Sequence, residues 1–462
     1  MTEPMLPSHP KGDLPLLASL YIFEVALLLV AVPFHKKGDR TFVPWLLTAP
    51  GLAFVVALLV AIAVFGFIGR QYVRHRASGA RSFGFVVGMN VVTLAFILIP
   101  TEIALRLVTG HTADARVFGD RTLLPRSWER AAAHNLRIFA QASGDLTYLV
   151  YDETLGWTVG PSRRNPTGMY LSAAEGLRAA SQGAILSGPK NRRRVALVGD
   201  SFVFGEQVRF EDSWGHVLES NSNGRLQVLN FGVGGYGLDQ AYLRFKKDAL
   251  AWKPDVVVLG FPLTDLIRSM TVYPLIEWPH WGMPFSKPRL IRESGVLRAL
   301  NVPTLTPPAI FAKTSIAQLP FLEFDVGYRR HEWEWGVADA ALVKRWLFSF
   351  FPRWVEGNSH VSHQELVEVN RAILLEFTSV AKEHGVKPIV AYFPGKPEIL
   401  RVKRGQTTDG QRIMKRIGVP FLDTTACLME LDPETAYIVN DPHYSPRGNV
   451  AVAKCIAGAL DP

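Results

Sequence analysis

Cysteine is almost missing from this chain: there are two in 462 residues, Cys427 and Cys455. Neither stands at metal-ligand spacing, so a zinc framework is excluded, and neither a metal nor any other cofactor is expected. A disulfide between the two is permitted in an exported domain, and two buried free thiols fit the sequence equally well. No internal repeat and no low-complexity tract stands out. Nucleic-acid-binding motifs are missing too, although the net charge of +9 and a pI near 9.5 invite that reading. Much of the basic excess flanks long apolar runs, where it sets topology and faces lipid headgroups. A nucleic-acid partner is therefore not expected.

Long apolar runs are present, and only at one end. At this length two or more regions are expected, and the composition changes near residue 108. Before it, three runs reach the roughly 20 residues that a membrane span needs: about 14–34, 43–69 and 83–108. The second has no charge between Leu52 and Val60, and Trp45 near its start suits an interfacial anchor. The first contains Glu24 and exits through Pro33-Phe34-His35-Lys36-Lys37, with no small-residue cleavage site, which favours a retained span over a signal peptide. Lys11 and the loop Arg70, Arg74, Arg76 and Arg81 fall on one side, Lys36, Lys37 and Arg40 on the other. The positive-inside rule then places the N-terminus in the cytoplasm and the C-terminal domain on the exported side of a bacterial cytoplasmic membrane.

Residues 109–192, rich in Arg, Ser, Gly and Ala, read as a linker and extension lying against the next domain. From 193 onward apolar strands alternate with helical patterns, which favours a parallel sheet covered on both faces. One helix is well marked: Ser362-His363-Gln364-Glu365 opens it, Leu366, Val369, Ile373, Leu374 and Phe377 repeat at helical spacing, and Gly385 stops it. An insertion of about 270–360 carries Trp278, Trp281, Trp333, Trp335, Trp346 and Trp354. These residues suit a carbohydrate cleft, a lipid interface or ordinary core packing.

The strand Arg193–Val198 runs into Gly199-Asp200-Ser201, which lifts a serine to the sheet edge where α/β proteins bind ligands. Alone, that tripeptide also suits a capped turn. A second strand ends in Gly232-Val233-Gly234-Gly235-Tyr236-Gly237, a third leads into Pro262-Leu263-Thr264-Asp265, and Asn440-Asp441-Pro442-His443 stands near the C-terminus. This ordered set of blocks resembles the SGNH (GDSL-type) serine hydrolase superfamily over about 193–270 and 386–460, and looks closest to bacterial membrane-anchored envelope members. The resemblance implies a three-layer α/β/α flavodoxin-like parallel sheet over 193–462, preceded by the transmembrane helices.

It also implies roles. Ser201 is the nucleophile, His443 the base and Asp441 its orienting partner, while Ser201, Gly235 and Thr264 form the oxyanion hole. Two departures stand out: Asp441 is two residues before His443 where many relatives have three, leaving Asn440 as a rival, and Thr264 stands where an Asn is common. A threonine hydroxyl is shorter than an amide, and losing one oxyanion donor costs about 3–4 kcal/mol. The reading that follows is a membrane-anchored serine esterase acting on acyl esters, among them O-acyl groups of an envelope glycan. An O-acyltransferase using the same triad and a non-catalytic glycan-binding or assembly module are the alternatives. Oligomeric state and acyl chain are not legible.

Overall fold

The computed structural model describes residues 83–141, 147–188, 190–350 and 362–460. The expected spans 14–34 and 43–69 lie outside these residues. The third run is a helix, Phe83–Val108, but among the described residues no helix is long and apolar enough to cross a membrane. Its C-terminal turns show why a span over 83–108 does not hold to its end. Glu102 and Arg106 pair at 2.6 Å, and Leu105 is fully buried against Phe118, Leu123, Leu342 and Val343, so this end of the helix is built into protein.

The chain divides into two compact units, Met1–Ser127 with Arg330–Gly357, and Trp128–Arg329 with Asn358–Pro462. This division cuts both the expected linker and the expected insertion. Residues 109–127 form a small antiparallel sheet in the first unit, whereas 128–192 contribute a helix, Trp128–Gln141, and two short hairpins to the second. Trp278 and Trp281 belong to the second unit; Trp333, Trp335 and Trp346 belong to the first, and Trp354 lies outside the described residues.

The second unit is built on a five-stranded, wholly parallel sheet. In chain order its elements are β1 (Arg193–Gly199), α1 (Ser201–Phe204), α2 (Trp214–Ser220), β2 (Leu226–Asn230), α3 (Leu238–Arg244), β3 (Val256–Phe261), α4 (Leu263–Arg268), α5 (His363–Glu383), β4 (Lys387–Tyr392), β5 (Leu422–Asp423) and α6 (Pro446–Leu460). The spatial order is β2-β1-β3-β4-β5, so the chain reverses its winding between β1 and β3. Period-2 alternation sorts the side chains. Ala196, Val198, Val257, Leu259 and Val390 face Leu238, Tyr242, Ile373 and Phe377 of α3 and α5; Val195, Leu197, Val256, Val258 and Ile389 face Trp214, Leu218, Val452 and Ile456 of α2 and α6. This is the expected α/β architecture, a sheet between two helical layers.

The switch point depends on two glycines. Gly199 ends β1 in register with Gly260 of β3, and a Cβ on Gly199 would lie 2.2 Å from the Gly260 carbonyl oxygen and 2.4 Å from Val203 Cγ2. The absence of both side chains lets α1 turn directly over the strand ends. At the far end of the unit Cys427 and Cys455 form a disulfide across 28 residues, joining the Thr425–Met429 helix to α6. The alternative of two buried free thiols is thereby set aside.

Gly199→Ala is expected to destabilise the unit by about 1–3 kcal/mol or more, since backbone must give way, read as a lowered denaturation midpoint. Reduction of the disulfide, or Cys455→Ser, should remove about 2–5 kcal/mol from thermal stability; an unchanged melting temperature would mean that the cross-link constrains nothing.

Candidate active site

Asp200 caps α1, accepting from the Phe202 amide at 2.9 Å through Oδ1, and Gly205 closes the single turn with a left-handed φ of 77°. Ser201 is thereby held at the carboxyl end of β1, beside the reversal in winding where this sheet order opens a crevice. Arg178, 2% exposed, secures the exit of α1 by donating to the carbonyls of Phe204, Gly205 and Val208.

The loop with the second set of groups is pinned separately. Tyr437 and Tyr444 pair across it and both hydroxyls donate to the Pro394 carbonyl beyond β4, at 2.8 and 3.0 Å. Asn440 takes the left-handed turn conformation, φ 59°, and is exposed, whereas Asp441 is the residue in contact with the ring. Asp441 Oδ1 accepts from the His443 amide at 2.9 Å and lies 2.6 Å from Nδ1. His443 Nε2 is 2.8 Å from Ser201 Oγ, across 242 positions of sequence. Nδ1–H is thus held on the carboxylate and Nε2 is left as the acceptor of the serine proton. The Phe202 ring, 5.0 Å from that of His443, closes one side.

The structure therefore brings Ser201, His443 and Asp441 into one line. Gly235 lies in the loop after β2 with φ 82°, next to Met283, Trp157 and Trp281, and Trp157 fixes the loop by donating to the Gly234 carbonyl at 3.0 Å. Thr264 is exposed in the first turn of α4, where the buried residue is Asp265.

Four groups at the site are not legible as such in the motifs. Asp200 and Asp265 are buried carboxyls, and Arg268 Nη1 bridges them at 3.1 and 2.8 Å. Burial, and after it the neighbouring Asp200, pushes the Asp265 carboxyl well above the usual carboxylate range against the pull of Arg268. Ser201 Oγ has Asp200 Oδ2 within 3.3 Å as a second acceptor, but His443 is closer and Arg268 already occupies that oxygen. Glu206 is the fourth, with Oε2 3.8 Å from His443 Nε2 and its side chain 32% exposed. Burial pushes its carboxyl up, while His443 draws it down. The Asp265–Arg268 spacing of three on a helix is a readable sequence signal; nothing in the position of Glu206 announces it. Trp278 and Trp281 stack at 4.6 Å and the Arg268 guanidinium lies 4.7 Å from the Trp281 centroid, so Trp281 is engaged by both.

No family model matches the chain. It is 33% identical over 76 residues to the uncharacterized lipoprotein YqeF of Bacillus subtilis (strain 168), covering 15% of this chain and 31% of that relative, less than a third of its length. Among solved structures, a GDSL-like lipase from Bacteroides thetaiotaomicron VPI-5482 is 12% identical and aligns over 60% of this chain and 92% of its own, with a TM-score of 0.30. The lipase/acylhydrolase from Enterococcus faecalis is 13% identical over 58% and 95%, at 0.30. Axe2, an acetylxylan esterase from Geobacillus stearothermophilus, is 14% identical over 58% and 94%, also at 0.30. Strand order and register, not these likenesses, establish the fold.

Arg268→Met leaves two buried carboxyls without their cation and is expected to cost about 3–5 kcal/mol. Asp265→Asn in the same background should recover part of that loss, which a double-mutant cycle on denaturant midpoints measures.

Proposed function

We propose that the chain is a serine-dependent ester hydrolase of the SGNH type, anchored in a membrane, with its catalytic unit on the exported side and an O-acylated envelope glycan or related acyl ester as substrate. The observation that carries this reading is the aligned run of Ser201 Oγ, the His443 ring and Asp441 Oδ1 at 2.8 and 2.6 Å. A serine hydroxyl needs a base within hydrogen-bond reach and a third group to orient that base, and all three are present at the sheet edge.

In this mechanism His443 takes the Ser201 proton as Oγ attacks the ester carbonyl, and the imidazolium is stabilised by Asp441. Collapse of the tetrahedral adduct breaks the bond to the alcohol oxygen, to which His443 returns the proton. Water then gives its proton to His443 and its oxygen to the acyl carbon, releasing the acid and restoring Ser201. The Ser201 and Gly235 amides are assigned to the oxyanion, with Thr264 supplying at most an exposed hydroxyl.

Support for the location comes from three sides: the apolar runs at 14–34 and 43–69 with their charge bias, the disulfide, which suits an oxidising compartment, and a relative that is a lipoprotein by name. Transfer to a sugar hydroxyl instead of water uses the same groups, and Glu206 beside Nε2 favours keeping that second reading. A binding module without catalysis leaves the aligned hydroxyl and imidazole without a use.

The full chain in detergent is expected to label with a fluorophosphonate probe and to hydrolyse short acyl esters. Ser201→Ala should abolish labelling and lower turnover by about 10⁴–10⁶-fold with the melting temperature kept, and adding His443→Ala should cost little more, because the two act as a unit. Normal turnover in Ser201→Ala would sink the enzyme reading.

A further inference from the structure

His443 Nε2 serves two partners in turn, Ser201 Oγ during acylation and the alcohol or water oxygen afterwards. Once Ser201 is acylated it no longer offers Nε2 a proton, and the incoming or departing hydroxyl must take that place. The polar side chain facing Nε2 from beyond Ser201 is Glu206, with Oε2 at 3.8 Å. That gap is too long for a direct hydrogen bond and short enough for one hydroxyl-bearing group to touch both. Asp441 occupies the opposite nitrogen, so Glu206 does not duplicate it.

Glu206 is also held in place. Its amide donates to the Ser201 carbonyl at 2.9 Å, closing α1, and Gln207 after it donates to the Tyr170 hydroxyl at 2.9 Å. On its other side lies the glycine loop: a Cβ on Gly234 would come within 3.2 Å of Oε2. The backbone of Glu206 is thus fixed and its carboxyl lies between His443 and the glycine loop, with a third of the side chain open to solvent. An ionised carboxylate accepts hydrogen bonds and donates none, and it repels anions.

We infer that Glu206 is a specificity-determining residue that binds the alcohol side of the ester through a hydroxyl next to the reacting oxygen, selecting neutral polyols such as sugars over alcohols without a second hydroxyl and over acidic sugars. This rests on the serine-esterase reading and names its acceptor class. A vicinal diol places one oxygen on His443 Nε2 and donates from the other to Glu206. A carboxylated sugar meets like charge instead.

The test compares three acetyl esters on the full chain in detergent: p-nitrophenyl acetate, a monoacetylated methyl glucoside with a free neighbouring hydroxyl, and the corresponding monoacetylated methyl glucuronide. Glu206→Ala is expected to lower kcat/KM on the glucoside about ten- to hundredfold, the worth of one hydrogen bond to a charged group, and to lower it on the aryl ester by a clearly smaller factor. Glu206→Gln should raise kcat/KM on the glucuronide relative to the glucoside, a gain that a merely structural role for Glu206 does not produce. It also serves as the second variant where the alanine form does not fold. Equal losses on all three esters, or an unchanged glucoside-to-glucuronide ratio in Glu206→Gln, overturn the inference while the esterase reading stands. A wild-type chain that neither labels with the fluorophosphonate nor cleaves any of the three overturns both.

Discussion

A single hydrogen bond, Ser201 Oγ to His443 Nε2, joins the start of α1 to a loop 242 residues later, and much of the second unit holds the two ends of that bond in place. The bond itself cannot hold them together. A hydrogen bond contributes about 0.5–1.5 kcal/mol net, while ordering a single residue's backbone costs about 1–2 kcal/mol. Both ends must therefore be fixed by other means before the bond forms. For Ser201 the means are the Gly199–Gly260 approach, the Asp200 cap and Arg178 on the carbonyls behind α1. For His443 they are the two buried tyrosines on Pro394 and α6, whose Val452 and Ile456 pack on the sheet face that carries Val195 and Leu197.

Preorganisation explains why the unit tolerates so much buried charge. Asp200, Asp265, Asp239, Lys287, Arg178 and Arg289 are all 2% exposed or less. Taking such groups out of water costs several kcal/mol each and rarely stabilises a fold. Lys287 and Asp239 satisfy each other, with two carbonyls completing the lysine, and frame the loop before α3. The Asp200–Arg268–Asp265 cluster differs, because two acidic groups share one cation and Asp265 is driven toward its neutral form. In the proposed mechanism, this limits the negative charge close to Ser201, whose Oγ has Asp200 Oδ2 within 3.3 Å.

The parts of this design that were legible in sequence are those written in short range. The strand-to-turn passage at Gly199-Asp200-Ser201, the apolar alternation of β1 to β4 and the cap at Ser362 are local patterns with local causes. The Asp441–His443 pair was legible as a block, yet the choice between Asp441 and its rival Asn440 is made only by the contact of Asp441 with Nδ1. What stayed hidden depends on distant partners. Glu206 reads as an ordinary loop acid until the 443 loop folds onto it, and Arg268 reads as a helix-end cation until α4 comes against Asp200. Residues 149–192 read as linker because their strands are only two to four residues long, and Trp157, wholly buried beneath the glycine loop, carries no periodic signature. Cysteine pairing was likewise a matter of geometry, which spacing alone does not fix.

Under the proposed serine chemistry, hydrolysis and transfer differ in which hydroxyl reaches an acylated Ser201 first, and the triad is indifferent to that choice. The decision falls to whatever lies around Nε2 on the solvent side. Water needs no binding site and arrives at high concentration, so an acceptor competes only if the site holds it in line with the imidazole. Proximity of that kind is worth far more than one hydrogen bond when the acceptor is fixed at both ends. In the proposal one such end is Glu206, and Met283 and Trp281 beside Gly235 give an apolar edge. With Trp281 already engaged by Trp278 and Arg268, the proposed sugar acceptor would be held by its hydroxyls more than by stacking on that indole. Selectivity then rests on hydrogen-bond complementarity, which rejects the wrong alcohol more sharply than an apolar surface can.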